Sequence, residues 1–239
     1  MDCRYFVLTK PSCADVGNDE DNQILYARAA TALLLLLPRT NLEYYAAHGL
    51  FEKHLIQWSK QFCGPDLVFL DIGAHTGTYS LCLAPYAKKV YSFEPQRHTF
   101  YALCGGVALT GATNVECINA ALGSPEQVGT IALNIVSPDG GGSSVHVGEQ
   151  RVLRTEMVDL RALDSYDISD VGFVKIDAEG NELHILRGAT ETLRRSGYPK
   201  ILFESNNPDT DRDLFDHIGT MYSAIVKVGG TSNMFLATA

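Results

Sequence analysis

Leu67-Val68-Phe69-Leu70-Asp71-Ile72-Gly73-Ala74-His75-Thr76-Gly77-Thr78-Tyr79-Ser80 is the stretch that decides the fold. Its opening, Leu67 to Leu70, is the apolar run that a strand buried on both faces requires. Asp71 ends the run, Gly73 and Gly77 follow, and Thr78 to Leu83 returns to helix-compatible spacing. The stretch therefore predicts strand, tight glycine turn, helix. In an open parallel sheet such a turn lies at the carboxyl end of a strand, where these folds bind ligands. Gly73 lets the backbone turn without a Cβ clash, and Gly77 lets a ligand approach closely. The spacing is GxxxG, which is neither the GxGxxG of a dinucleotide fold nor a GxxxxGKS/T phosphate loop. Asp71 brings a carboxylate where a phosphate cradle would use donors. An acidic, glycine-lined turn suits a nucleoside-bearing ligand with a cationic end, such as S-adenosylmethionine, better than a polyphosphate. An ordinary βα turn without a ligand is the competing reading.

The chain has 239 residues, enough for one decorated domain or at most two small ones with a sizeable core. A formal net charge of −9 argues against a nucleic-acid surface, which needs a basic patch. The six cysteines (Cys3, Cys13, Cys63, Cys82, Cys104, Cys117) are scattered and include no CxxC pair. That distribution predicts reduced thiols and a cytoplasmic protein, not a disulfide or zinc framework. Ala29 to Leu37 is too short to span a bilayer and follows an acidic segment, Asn18 to Asp21, which is the wrong preface for a signal peptide. It is read as the end of a buried helix over residues 23–37 that stops before Pro38.

Residues 1–22 are polar and are expected to be weakly ordered or a peripheral strand, and residues 50–62 have helical apolar spacing. Gly64-Pro65 breaks the chain. Residues 1–66 are thus expected to form an N-terminal helical cap on a domain spanning 67–239. Beyond the glycine turn, a second strand, Lys89 to Phe93, ends at Glu94-Pro95. An acid there, roughly 20 residues past the turn, is where such folds hold ribose hydroxyls. Pro95 equally suits a first helical turn. A helix from Gln96 to Thr110 and a third strand, Val115 to Leu122, follow, with Ala120 and Ala121 leaving room for a flat base. Gly129–Val136 and Val152–Asp159 predict extra strands around the glycine-rich loop at residues 139–144. The fourth strand, Val171 to Asp177, carries Asp177 and then Glu179, and a helix is expected over Asn181–Arg195. Two carboxylates at one strand end are costly unless they bind something, although Glu179 could be solvated and Asp177 a helix cap. A fifth strand, Lys200 to Ser205, brings Glu204, and a helix from Asp211 and a closing hairpin around Gly229-Gly230 complete the chain. The fold class expected is α/β: a Rossmann-like, doubly wound, mostly parallel sheet with a β insertion, a C-terminal antiparallel hairpin and the N-terminal cap.

This order resembles the class I S-adenosylmethionine-dependent methyltransferases, and in detail the FkbM-like family. The matching stretches are Gly49-Leu50-Phe51-Glu52, Val68 to Gly77, Phe93-Glu94-Pro95, Ala121-Leu122-Gly123, Ser143-Ser144, Ala162-Leu163-Asp164, Val174-Lys175-Ile176-Asp177-Ala178-Glu179-Gly180-Asn181-Glu182 and Leu186-Arg187-Gly188-Ala189. The KIDAEGNE run is the most specific. The resemblance implies methyl transfer from S-adenosylmethionine to the oxygen of a hydroxyl, mostly of sugars in glycans and glycoconjugates or of other secondary metabolites. It implies that Asp71, Gly73, Ala74, His75 and Gly77 line the methionine end, Glu94 the ribose, and Ala120 and Ala121 the adenine.

A sugar hydroxyl needs a proton acceptor in reach. Asp177 and Glu179 are the first candidates and Glu204 the third. Alternatively, Asp177 and Glu179 hold a divalent cation that lowers the hydroxyl pKa. Lys175, two residues before Asp177, shares its face and is expected to brace the acids. A nicotinamide-dependent oxidoreductase and a catalytically silent cofactor-binding domain are the competing classes. The missing GxGxxG counts against the first and the strand-end acids against the second.

Overall fold

The computed structural model describes residues 5–6, 33–34, 48–137, 140–146, 151–231 and 233–239. Near the N-terminus, β1 (Tyr5–Phe6) pairs in parallel with β2 (Leu33–Leu34). The expected helix over 23–37 otherwise falls outside the described residues, as does most of the segment 1–22. At Leu33–Leu34 the chain is strand, not helix; a leucine run has no period that separates the two.

The chain continues through α1 (Lys53–Ser59), β3 (Val68–Ile72), α2 (Thr78–Leu83), β4 (Lys89–Phe93), α3 (Arg97–Thr110) and β5 (Val115–Ile118). An excursion follows, made of β6 (Ala121–Leu122), β7 (Gly129–Ile135) and β8 (Arg154–Arg161). The main sheet resumes with β9 (Val171–Ile176), α4 (Glu182–Arg187), α5 (Thr190–Arg195) and β10 (Lys200–Glu204). It closes with α6 (Arg212–Gly219), β11 (Ala224–Lys227) and β12 (Met234–Thr238). The seven-stranded sheet has the order β11-β12-β10-β9-β3-β4-β5. β10, β9, β3, β4 and β5 run parallel, and β12 and β11 are antiparallel additions. The chain winds outward from β3 to β4 and β5, then returns to β9 on the other side. The switch point therefore lies between β3 and β9, the crevice in which open α/β sheets bind ligands.

All five residues of β3 are buried, as its apolar run requires. Their alternation splits the core into two layers. Leu70 and Ile72 join Val174, Phe203, Ile185, Leu186 and Leu214 on one face. Phe69 joins Phe173, Leu202, Leu55, Ile56 and Leu81 on the other. Phe69 and Phe173 stack with ring centroids 5.3 Å apart, and Phe62 packs at the same distance on Phe173. The segment around α1 is thus seated on the sheet through its own apolar face.

Two elements differ from the sequence expectation. Val115–Leu122 is not one strand: Asn119 turns away, donating to the Glu94 carbonyl at 2.8 Å, and Ala121–Leu122 joins the second sheet, β6-β8-β7. The helix expected over 181–195 breaks at Gly188–Ala189. There the backbone presses on the β insertion so closely that a Cβ on Gly188 would lie 2.0 Å from the Gly123 carbonyl oxygen. Among the described residues no helix is long and apolar enough to cross a membrane.

Candidate active site at the carboxyl ends of the central strands

A cleft of about 1430 Å³ opens at the carboxyl ends of β3, β4, β9 and β10. It exceeds the usual size of a pocket for one small ligand, so a cofactor and an acceptor fit side by side. Gly73, Ala74, His75, Glu94, Asp177, Glu179 and Glu204 line it, and the strand ends bring these expected residues to one place.

Gly73 has φ +78, and a Cβ there would lie 1.8 Å from the Asp177 carbonyl oxygen. The β3 and β9 strand ends can approach this closely only over a glycine. His75 also has positive φ (51°), and its N–H donates to Glu94 Oε2 at 2.8 Å. Glu94 Oε1 accepts from Gln96 N at 2.9 Å and Thr99 Oγ1 at 2.7 Å. A carboxylate offers about four acceptor positions. Three are used within the protein, so Glu94 retains room for one ribose hydroxyl. Burial raises the Glu94 pKa, against the lowering effect of His75 and of the three donors.

Asp71, Gly77, Ala120 and Ala121 do not line the cleft. Asp71 is fully buried and serves α2: its Oδ2 accepts from the Ser80 backbone N–H at 2.9 Å and from the Ser80 hydroxyl. Its Oδ1 is buried without a hydrogen-bond partner. Gly77 is the N-cap of α2 with φ 89°, and a Cβ there would meet Leu103 Cδ1 at 2.6 Å. Core packing, not ligand approach, is what demands glycine at that position. Ala120 and Ala121 are buried, and Ala121 packs with Leu133 and Leu160 of the second sheet.

Asp177, Glu179 and Glu204 each offer a carboxylate oxygen, and these oxygens lie within 4.8 Å of one another. Asp177 Oδ2 accepts from Lys175 Nζ at 3.0 Å, and the same ammonium donates to the Gly73 carbonyl at 3.3 Å. Lys175 thus braces Asp177 against the Gly73 turn. Burial works against its charge, but Asp177, Asp71 and Glu52 outweigh that and hold its pKa above the ordinary value. Glu204 receives a hydrogen bond from Asn233 Nδ2, and its pKa is pushed up to about 8, first by burial and then by repulsion from Asp177, Glu179 and Glu182. Burial and the neighbouring acids thus favour the neutral form of Glu204.

A glycine-rich loop such as residues 139–144 is, from sequence alone, either a flexible connection or part of a substrate entrance. Its residues 142–144 are tied to the cleft: Gly142 N donates to Glu179 Oε1 at 3.0 Å, Ser144 Oγ to the Glu179 carbonyl at 2.7 Å, and Ser143 Oγ to Gln96 Oε1 at 2.9 Å. Glu179, with φ 53°, is thus the loop's anchor as well as a cleft acid. Sequence reasoning gave no role to Glu52 and Tyr79, which also line the cleft. The signal for Glu52 was its place in the Gly49-Leu50-Phe51-Glu52 stretch.

A doubly wound sheet with a glycine turn and strand-end acids at its switch point defines a Rossmann-like methyltransferase architecture. The sequence model of the Methyltransferase FkbM domain matches residues 71–223, well over half of the chain, and the chain belongs to that family. Methyltransferase FkbM from Methylobacillus flagellatus KT superposes with a TM-score of 0.55 at 20% identity, covering 73% of this chain and 44% of that one. The chain thus spans less than half the length of that relative. The SAM-dependent O-methyltransferase from Thermotoga maritima gives a TM-score of 0.50 at 10% identity over 83% of this chain and 69% of that one. The precorrin 8w decarboxylase from Methanobacterium thermoautotrophicum gives 0.50 at 13% identity over 78% and 89%. At these identities the likeness is one of fold, and one fold hosts several chemistries. No curated protein matches the chain.

Proposed function

We propose that this chain is an S-adenosylmethionine-dependent O-methyltransferase whose acceptor is a hydroxyl, foremost that of a sugar in a glycan or glycoconjugate. The observation that carries the reading is the meeting of Asp177, Glu179 and Glu204 in one cleft with the Gly73 turn and Glu94. The residues fit the cofactor: the cleft wall is anionic where a sulfonium and an ammonium would lie, and Glu94 keeps one acceptor position for a ribose hydroxyl. S-adenosylmethionine, when bound, supplies a methyl already activated by its sulfonium, so the protein mainly supplies alignment.

Within this reading the Gly73–His75 turn and Glu94 hold the nucleoside, and the loop at Gly140–Ser143 shuts out water above it. Asp177 or Glu179 accepts the hydroxyl proton as the oxygen attacks. Glu204, whose neutral form burial and the neighbouring acids favour, limits the negative charge in the site. A second version has the three carboxylates, whose oxygens lie within 4.8 Å of one another, hold a divalent cation that lowers the hydroxyl pKa. Residues 1–66 serve as a cap on the 67–239 domain in this proposal. A cytoplasmic setting and an acceptor other than nucleic acid belong to it too. They rest on the free thiols of Cys63, Cys82, Cys104 and Cys117 and on the net charge of −9.

The test is incubation of the protein with isotopically labelled S-adenosylmethionine and a glycan pool, followed by mass spectrometry. Label on a sugar oxygen is the expected result. Label on an RNA or DNA pool, with none on any glycan, would overturn the acceptor class.

A further inference from the structure

Glu52 is a carboxylate in the cleft with no role in the proton chemistry above. It stands at the N-cap of α1 in a left-handed conformation, φ 51° and ψ 28°. Its Oε2 accepts from the Tyr79 hydroxyl at 2.8 Å, and no hydrogen bond among the described residues reaches its Oε1. Both residues line the cleft.

The charges around it do not balance. The Lys175 ammonium pairs with Asp177 at 3.0 Å and stands over the Tyr79 ring, 5.2 Å from its centroid, which places it beside the Glu52–Tyr79 pair. That ion pair goes to Asp177, and among the described residues Glu52 has no ion pair of its own. Burial raises the Glu52 pKa; Tyr79 and Lys175 pull it down, and Asp177 pushes it further up. A second cation beside Glu52 would relieve this.

The position of that cation follows from the sheet order. Glu94, at the end of β4, lies on one side of β3, and Lys175 on β9 and Asp177 just beyond its end lie on the other. Lys175 joins the Gly73 turn to Asp177. A ligand whose ribose is at Glu94 and whose chain crosses the Gly73 turn delivers its far end to the β9 side. For S-adenosylmethionine the far end is the amino acid, whose ammonium is the missing charge. Asp71, the acid that the sequence assigned to this end, is spent on Ser80 and lies outside the cleft wall.

We propose that Glu52 recognises the α-ammonium of the cofactor's methionine portion, oriented for this by Tyr79; the inference rests on the S-adenosylmethionine reading. It gives the residues before the domain a part in cofactor selection. It also means that ligands lacking the amino group should be discriminated against by a residue outside the glycine-turn motif.

The experiment is calorimetric binding of two probes, S-adenosylhomocysteine and its analogue lacking only the amino group, to the wild-type chain and to Glu52→Gln. A charge-assisted hydrogen bond in a partly buried site corresponds to about 10- to 100-fold in affinity. The wild type is expected to prefer the amino-bearing probe by that factor, and Glu52→Gln to lose most of the preference while binding the deaminated probe as before. Tyr79→Phe, which keeps the carboxylate and removes its hydrogen bond, should lose several-fold of the preference; this serves as the reading if Glu52→Gln does not melt cooperatively. An unchanged preference in both variants, or equal weakening of both probes, overturns the inference alone. A wild type that binds neither probe overturns the cofactor reading with it.

Discussion

Lys175 Nζ lies 3.0 Å from Asp177 Oδ2 and donates at the same time to the Gly73 carbonyl, 3.3 Å away. One ammonium thereby clamps the ends of β3 and β9 at the switch point of the sheet. The lysine is 4% exposed, so its charge is sustained by neighbouring carboxylates and not by water. Removing it would leave Asp177 without its ion-pair partner and take away the positive charge that offsets Asp71 and Glu52 nearby.

Lys175→Met is therefore expected to destabilise the fold by about 3–5 kcal/mol, the usual cost of stranding a buried charge. Urea unfolding of the variant beside the wild type measures it. A loss below about 1 kcal/mol would mean that the carboxylates are neutralised in some other way.

The two glycines of the turn should differ sharply. A Cβ on Gly73 collides with backbone, the Asp177 carbonyl at 1.8 Å, and backbone cannot step aside. A Cβ on Gly77 meets the end of a leucine side chain, which can. Gly77→Ala should cost about 1–2 kcal/mol, mostly for the left-handed backbone. Gly73→Ala should exceed about 4 kcal/mol or prevent folding, in the class of exceptional substitutions. Similar melting temperatures for the two variants would contradict this ordering.

The parallel sheet was legible because β3, β4, β9 and β10 are short apolar runs that end in acids or a glycine turn, a pattern that burial on both faces imposes. Glu94, Asp177, Glu179 and Glu204 were legible as cleft residues for the same reason: a strand end fixes its position in space. Asp71 and Gly77 look equivalent to these in sequence, yet the acid turns inward to Ser80 and the glycine faces Leu103. Direction at a strand end depends on neighbours that the local sequence does not contain. The same holds for Asn119, whose amide bonds to the Glu94 and Pro95 carbonyls and ends β5 early. Lys175 was visible only as a possible brace, because its partners come from three separate segments.

Glu94→Ala removes the acceptor of His75 N, Gln96 N and Thr99 Oγ1 together with the proposed ribose contact. Affinity for S-adenosylhomocysteine should fall by about 1–3 kcal/mol, and the melting temperature should fall too, since buried donors are left without partners. Calorimetry beside a thermal melt separates the two effects. Equal affinity in a destabilised variant would remove Glu94 from the ligand's contacts and leave it a purely structural tie.

Stability should decline as pH rises from about 5 to 8. Burial pushes Glu182 up to about 7, and burial with like charges pushes Glu204 up to about 8, both from an ordinary 4.5. Between 4.5 and those values the folded chain binds more protons than the unfolded chain, so the slope of unfolding free energy with pH is negative. The stabilising contribution is full below the unfolded value and is lost as pH climbs through the folded one. Glu182→Gln and Glu204→Gln should each flatten the curve measured by urea unfolding at pH 5.5 and 8.5. A wild-type curve that rises across this interval would show that other groups dominate.

Asp177→Asn and Glu179→Gln keep size and remove charge, and they test whether these acids do the proton or cation work. Removing a positioned base costs about 10²–10⁴ in rate. The two positions carry different side duties: Asp177 pairs with Lys175, and Glu179 anchors the loop through Gly142 and Ser144. Turnover must therefore be read beside melting and affinity for S-adenosylhomocysteine. If Asp177 is the base, Asp177→Asn loses turnover at nearly unchanged cofactor affinity, whereas Glu179→Gln, whose amide still offers an oxygen to Gly142 N, keeps much of it. The reverse pattern makes Glu179 the base. Should both variants fold, bind and turn over like the wild type, Glu204 is the next acid to replace. Metal removal separates the two versions of the chemistry. Activity that survives a chelator leaves direct proton transfer to a carboxylate; activity lost to the chelator and restored only by a divalent ion assigns the 4.8 Å triad of Asp177, Glu179 and Glu204 to a cation.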